Sequence, residues 1–162
     1  MKILLAACNA KYIHSNLAVY DLKAYASTYE DDILLKEYTI NQTKDEILKD
    51  IYSSRADIVC FSCYIWNISF IEELMEDLPK ILPETIFWAG GPEVSYDGVQ
   101  FLQKVPSMTG VMRGEGEKTF LELADYYIGG KGSLKEISGI VYRENGGIRD
   151  NGWRELTDLS EI

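Results

Sequence analysis

The chain has 162 residues, 46% hydrophobic and 12% aromatic, which is enough for one domain with a buried core and makes disorder or a disulfide scaffold unnecessary. Sixteen Lys and Arg against 26 Asp and Glu leave a formal net charge of −10, with no dense basic cluster anywhere. Binding a polyanion rests on cations that neutralise phosphates, so nucleic acid is excluded as the expected partner and a small or neutral ligand is favoured.

Apolar runs alternate with amphipathic stretches, the pattern of strand–helix units around a parallel sheet, and the expected class is α/β. Residues 3–8 read as a buried first strand; a polar loop over 9–15 leads into a helix whose Leu17, Tyr20, Leu22, Ala24 and Tyr25 share one broad face. Asp31-Asp32 ends that unit. The second strand, 33–39, alternates its residues as an edge or near-edge strand does. Thr43-Lys44-Asp45-Glu46 is a capping box and opens a helix with Ile47, Leu48, Ile51 and Tyr52 on one face. Residues 58–62 are a continuous apolar run ending in Ser62, the best central strand in the chain. A helix from 67 or 69 to 82 follows, with Ile71, Leu74, Met75, Leu78 and Ile81 at core spacing and Pro83 as its stop.

Residues 85–89 are the fourth strand and run straight into Gly90-Gly91-Pro92, a tight turn. A short helix over 99–104, a fifth strand at 110–112 and a helix over 117–127 complete a doubly wound, flavodoxin-like or Rossmann-like sheet of five parallel strands flanked by helices. After Gly129-Gly130 the character changes. Runs at 137–144 and 148–155 flank Asn145-Gly146-Gly147, a β-hairpin expected as an appendage, which divides the chain into a ligand-binding domain over 1–130 and a hairpin and linker over 131–162.

Three cysteines, Cys8, Cys60 and Cys63, are an odd and sparse set lying in or beside apolar runs, as in a reduced, cytoplasmic protein. The apolar run at the N-terminus is too brief for a membrane span and lacks a secretory cleavage pattern. Cys60-Phe61-Ser62-Cys63 is formally a C-x-x-C, but its first thiol falls inside a strand and is expected to be buried and inert.

Ligands of a doubly wound sheet sit beyond the carboxyl ends of the strands, where strand order reverses, which selects residues 9–16, 62–66, 90–95 and 113–117. Polar residues and glycines concentrate there. His14, the only histidine, lies in the first of these loops, either as a solvated or capping residue or as an imidazole for a soft or borderline metal. Ser62 ends a buried strand, either capping the next helix or hydrogen-bonding a ligand laid against the sheet. Gly90 and Gly91 either make a turn or leave room for a ligand close to the backbone. Arg113-Gly114-Glu115-Gly116-Glu117 precedes a helix whose N-terminus could hold an anion, although its own carboxylates favour a structural turn.

Together these loops resemble the cobalamin-binding domain at the N-terminus of cobalamin-dependent radical S-adenosylmethionine enzymes, a family that includes methyltransferases and the anaerobic Mg-protoporphyrin IX monomethyl ester cyclase. The carriers are Lys2-Ile3-Leu4-Leu5, then residues 9–17 from Asn9 through Tyr12, His14, Ser15 and Asn16 to Leu17, Ser62-Cys63-Tyr64 after the third strand, Gly90-Gly91-Pro92-Glu93-Val94 after the fourth, and Arg113-Gly114-Glu115-Gly116-Glu117 after the fifth. The resemblance implies a cobalamin whose corrin lies over the strand ends and whose nucleotide tail enters a slot beside strands one, three and four. Ser62 would hydrogen-bond the tail, and Gly90 and Gly91 would make room for it. The wider cobalamin-binding family carries D-x-H-x-x-G in the first loop, whereas this chain has Tyr12 for the Asp and Leu17 for the Gly; binding without a histidine ligand is therefore the favoured reading, with His14 as the cobalt ligand otherwise. The C-x-x-x-C-x-x-C motif that holds a 4Fe-4S cluster for S-adenosylmethionine cleavage in such enzymes does not occur here, so that chemistry is expected in a further C-terminal domain.

The competing reading is a flavodoxin-like signalling or structural module without cobalamin. A response-regulator receiver needs an acidic cluster after strand one and a phosphoacceptor Asp after strand three; this chain has Asn9 and Ser62-Cys63 there. A flavin domain needs a hydroxyl- and glycine-rich first loop, which Ala10-Lys11-Tyr12-Ile13 is not.

Overall fold

The computed structural model describes residues 1–10 and 15–155. Its described strands, β1 (Ile3–Asn9), β2 (Ile33–Thr39), β3 (Ile58–Ser62), β4 (Ile86–Gly90), β5 (Gly110–Met112), β6 (Ile140–Glu144) and β7 (Gly147–Asp150), form one sheet in the order β2-β1-β3-β4-β5-β6-β7. The first five are parallel and the last two antiparallel. Helices α1 (Leu17–Tyr25), α2 (Lys44–Ser54), α3 (Ile68–Ile81), α4 (Pro92–Ser95), α5 (Gly98–Lys104) and α6 (Glu117–Tyr127) connect them.

The strands read as unbroken apolar runs because helices cover both faces of the sheet. Leu4, Ala6, Val59, Phe61, Phe87 and Val111 pack on one side with α2, α3 and α5. Leu5, Ala7, Cys60, Trp88 and Met112 pack on the other with Val19 of α1 and Phe120, Leu123 and Ala124 of α6. Ile71, Leu74 and Leu78 of α3 are fully removed from water, each contributing about 1.5–3 kcal/mol. Pro79 lies inside α3, and cannot donate to the carbonyl of Met75 four residues earlier. The Ser107 hydroxyl donates to that carbonyl instead, at 3.4 Å.

The capping box is present in full: Thr43 accepts from the Glu46 N–H, and the Glu46 carboxylate accepts from the Thr43 N–H. On α2, however, Tyr52 is exposed while Ile47 and Ile51 are buried. On α1 only part of the expected apolar face is packed: Leu22 lies against the core. Leu17 is 72% exposed, Tyr20 and Ala24 also face outward, and Val19 is the residue buried against the sheet.

The hairpin is not an appendage. β6 pairs antiparallel with β5, so the sheet has seven strands rather than five. Asn145 and Gly146, both at positive φ, form the two-residue turn whose twist matches the flanking strands. Joining the sheet covers the edge of the three-residue β5, and the new edge, β7, carries Arg149 and Asp150, charges that discourage further pairing. No helix among the described residues is long and apolar enough to cross a membrane.

Candidate functional site

Strand order reverses between β1 and β3, and the carboxyl ends of β3, β4 and β5 open there into a cavity of about 660 Å³ under α1. Ser62, Gly90 and Met112 are consecutive partners across β3, β4 and β5, so their side-chain positions point to one face and form its floor. A Cβ at Gly90 would meet Met112 at 3.6 Å, an ordinary contact. The backbone therefore does not require glycine at 90; a larger side chain there would occupy the cavity.

Gly91 differs in kind. Its φ of 109° is one that L side chains rarely adopt, and a Cβ there would lie 2.5 Å from the Cys63 carbonyl oxygen. The close approach is part of the β3–β4 junction, where the Cys63 N–H donates to the Gly90 carbonyl at 2.7 Å and the Cys63 carbonyl accepts from the Glu93 N–H at 3.3 Å. Gly90-Gly91-Pro92 is thus more than a tight turn, because Pro92 at the first helical position starts α4.

A polar framework fixes the first loop to this floor. Asn16, buried, donates from Nδ2 to Ser62 Oγ at 3.0 Å, which occupies a hydroxyl lone pair and leaves the hydroxyl hydrogen of Ser62 to donate elsewhere. Glu37 within β2 accepts from Asn9 Nδ2 at 2.9 Å, from the Asn16 N–H at 2.8 Å and from the Tyr20 hydroxyl at 2.8 Å, joining both ends of the loop. Burial pushes the Glu37 carboxyl up, but these hydrogen bonds outweigh it and hold the group below its ordinary value. Asn67, fully buried, accepts from the Tyr64 N–H and donates to the carbonyls of Cys8 and Ser62, locking the ends of β1 and β3 together.

The outer wall comes from the segment after β7. Arg113 at the end of β5 is 6% exposed; its guanidinium pairs with Asp150 at 2.8 Å and lies 5.3 Å from the centroid of the Trp153 ring. Trp153 in turn meets Tyr96 with centroids 5.3 Å apart, and Tyr96, Trp153 and Arg154 line the cavity.

Residues 3–124 match the model of the B12-binding domain family. The chain belongs to that family. Over 80 residues this B12-binding domain is 39% identical to an uncharacterized methyltransferase of Pyrococcus horikoshii, PH0819, covering 49% of the chain and 17% of that protein. Over 87 residues it is 28% identical to TokK of Streptomyces tokunonensis, a cobalamin-dependent radical SAM methyltransferase, covering 54% of the chain and 13% of TokK. Its fold superimposes on OxsB, a cobalamin-dependent S-adenosylmethionine radical enzyme solved with aqua-cobalamin, with a TM-score of 0.79 at 21% identity, over 99% of this chain and 23% of OxsB. The chain thus spans less than a quarter of each of these proteins, and the match disfavours a signalling or ligand-free module.

Of the residues singled out in the B12-binding domain's sequence, Ser62, Tyr64, Gly90, Gly91, Pro92, Gly114 and Glu115 line the cavity. Asn16 reaches it by its bond to Ser62, while Asn9 and Ser15 are not among its lining residues. Tyr12 and His14 lie outside the described residues. Glu93 is exposed on α4 and does not line the cavity, and the Cys63 side chain turns into the opposite core. Ser62 does not cap α3; its oxygen accepts from Asn16. Sequence reading missed Glu37, an acid within β2, Asn67, an amide before an apolar helix, and Trp153, an aromatic just past a hairpin.

Cys60 and Cys63 belong to cores on opposite faces of the sheet, so the C-x-x-C is not a dithiol pair. Burial pushes Cys8 and Cys60 from 9.0 up to about 12 and raises Cys63 as well. A thiol reagent at pH 8 is expected to leave all three unmodified in the native protein and to modify all three in denaturant; labelling of the native protein at the denatured rate would contradict their burial. Because these folded-state values are raised, the stability they contribute is complete below about pH 9, the unfolded thiol value, and is lost as pH rises toward 12.

Proposed function

We propose that the cavity above Ser62 and Gly90 holds the nucleotide tail of cobalamin, with the corrin over the strand ends. The observation that carries this reading is the floor itself: in a B12-binding domain, at the strand-order reversal, a glycine that the backbone does not require opens a cavity of about 660 Å³. The residues fit such a group. Gly90 leaves space for the tail, the Ser62 hydroxyl hydrogen is directed by Asn16 to donate to a ligand oxygen, and the Glu37 clasp holds the loop that would lie beside the corrin.

Cobalamin supplies a cobalt centre able to carry a methyl group, chemistry that belongs to the cofactor. The side chains here bind and orient. The further proposal is that this is the cobalamin-carrying part of a longer cytoplasmic enzyme, residues 131–162 leading toward a radical S-adenosylmethionine domain with its own 4Fe-4S cluster. The likeness to TokK and OxsB supports it.

Purified protein mixed with hydroxocobalamin and desalted is expected to retain the cofactor with a shifted cobalt spectrum; passage without retention would overturn the reading. With Tyr12 in the position of the orienting Asp, His14→Ala is expected to leave that spectrum unchanged. A changed spectrum would assign His14 as the cobalt ligand.

A further inference from the structure

The family match ends at residue 124, yet the cavity is walled in part by residues 153–155, which the match does not include. This segment is anchored on both sides of Trp153. Before it, Asp150 accepts from both Arg113 and the Gly152 N–H at 2.8 Å, and the Gly152 carbonyl accepts from the Gly139 N–H at 3.1 Å. After it, Arg154 donates to Thr119 Oγ1 at 3.0 Å and to the Ser138 carbonyl at 3.1 Å, and pairs with Glu122 at the start of the matched helix's second turn. Between these anchors Trp153 lines the cavity and is half exposed. Its ring is oriented from the sheet side by the Arg113 guanidinium and flanked by Tyr96, itself 78% exposed.

We infer that Trp153 is a specificity-determining wall of the ligand cavity, contacting the planar aromatic base of a corrinoid's nucleotide tail. The inference rests on the cobalamin reading and extends it: the hairpin then contributes to recognition as well as covering β5. A rigidly held aromatic face loses little entropy on binding a second flat ring, and the apolar floor of Leu5, Cys60 and Met112 accepts the rest of that base. A corrinoid without a tail would gain nothing from this wall.

The test compares hydroxocobalamin with dicyanocobinamide, which has the corrin but no base. Trp153→Ala is expected to weaken cobalamin binding on the order of tenfold while leaving cobinamide within about twofold, and Trp153→Phe is expected to restore most of the loss. Thermal unfolding of the apoproteins, expected to be unchanged because the ring is half exposed, separates recognition from folding. Equal loss for both corrinoids, or loss for neither, would overturn the inference while leaving the cobalamin reading intact. Failure of the unaltered protein to bind either corrinoid would overturn both.

Discussion

Gly91→Ala is expected to destabilise the protein by roughly 2–4 kcal/mol, read as a lower midpoint in chemical denaturation of the apoprotein. Two costs combine. The residue must hold a φ of 109° with a side chain attached, and its Cβ would lie 2.5 Å from the Cys63 carbonyl oxygen, a backbone atom held in place by Glu93. Relief means parting β3 from the start of α4, which breaks the Cys63-to-Gly90 hydrogen bond at the cavity floor. An alanine variant with an unchanged midpoint would show that the junction is far softer than its geometry.

Gly90→Val is expected to do the reverse. Stability should stay within about 1 kcal/mol, since the strand favours a β-branched residue and the new Cβ meets Met112 at ordinary contact distance. Cobalamin retention through desalting should be abolished, because the two methyl groups project onto the floor shared by Ser62 and Met112. Wild-type retention by this variant would mean that the ligand does not use the cavity. Adjacent glycines of one motif are thus predicted to fail by different routes, one through the ligand and the other through the fold.

That distinction was not legible in the residues. Gly90-Gly91 admits a turn and a ligand cradle alike, and the two are separated only by which atoms lie opposite each Cβ: the flexible Met112 side chain for one, the Cys63 backbone for the other. The same limit explains the misread face of α1. Periodicity identifies an amphipathic stripe, but it does not say which of its members meet the sheet: Leu17 and Tyr20 are exposed, and the Tyr20 hydroxyl donates to Glu37 instead. The hairpin turn was evident in Asn145-Gly146, whereas the strand that β6 would join was not, since an exposed edge three residues long leaves no mark on the sequence of its partner.

What the sequence determined by itself was what short-range chemistry dictates. Strands 33–39, 58–62 and 110–112 and the helix over 117–127 have the expected bounds, because strand periodicity, breakers and caps act within a few residues. The Thr43–Glu46 box formed as expected for the same reason. The doubly wound order followed from the alternation of units, and it located the four loops around the site. Tertiary structure alone decided the rest: that Glu37 clasps Asn9 and Asn16, that Asn67 ties β1 to β3, and that Arg113 meets Asp150 and Trp153. Each of these joins residues on separate elements, and their meeting depends on how helices and strands pack, which no local pattern encodes.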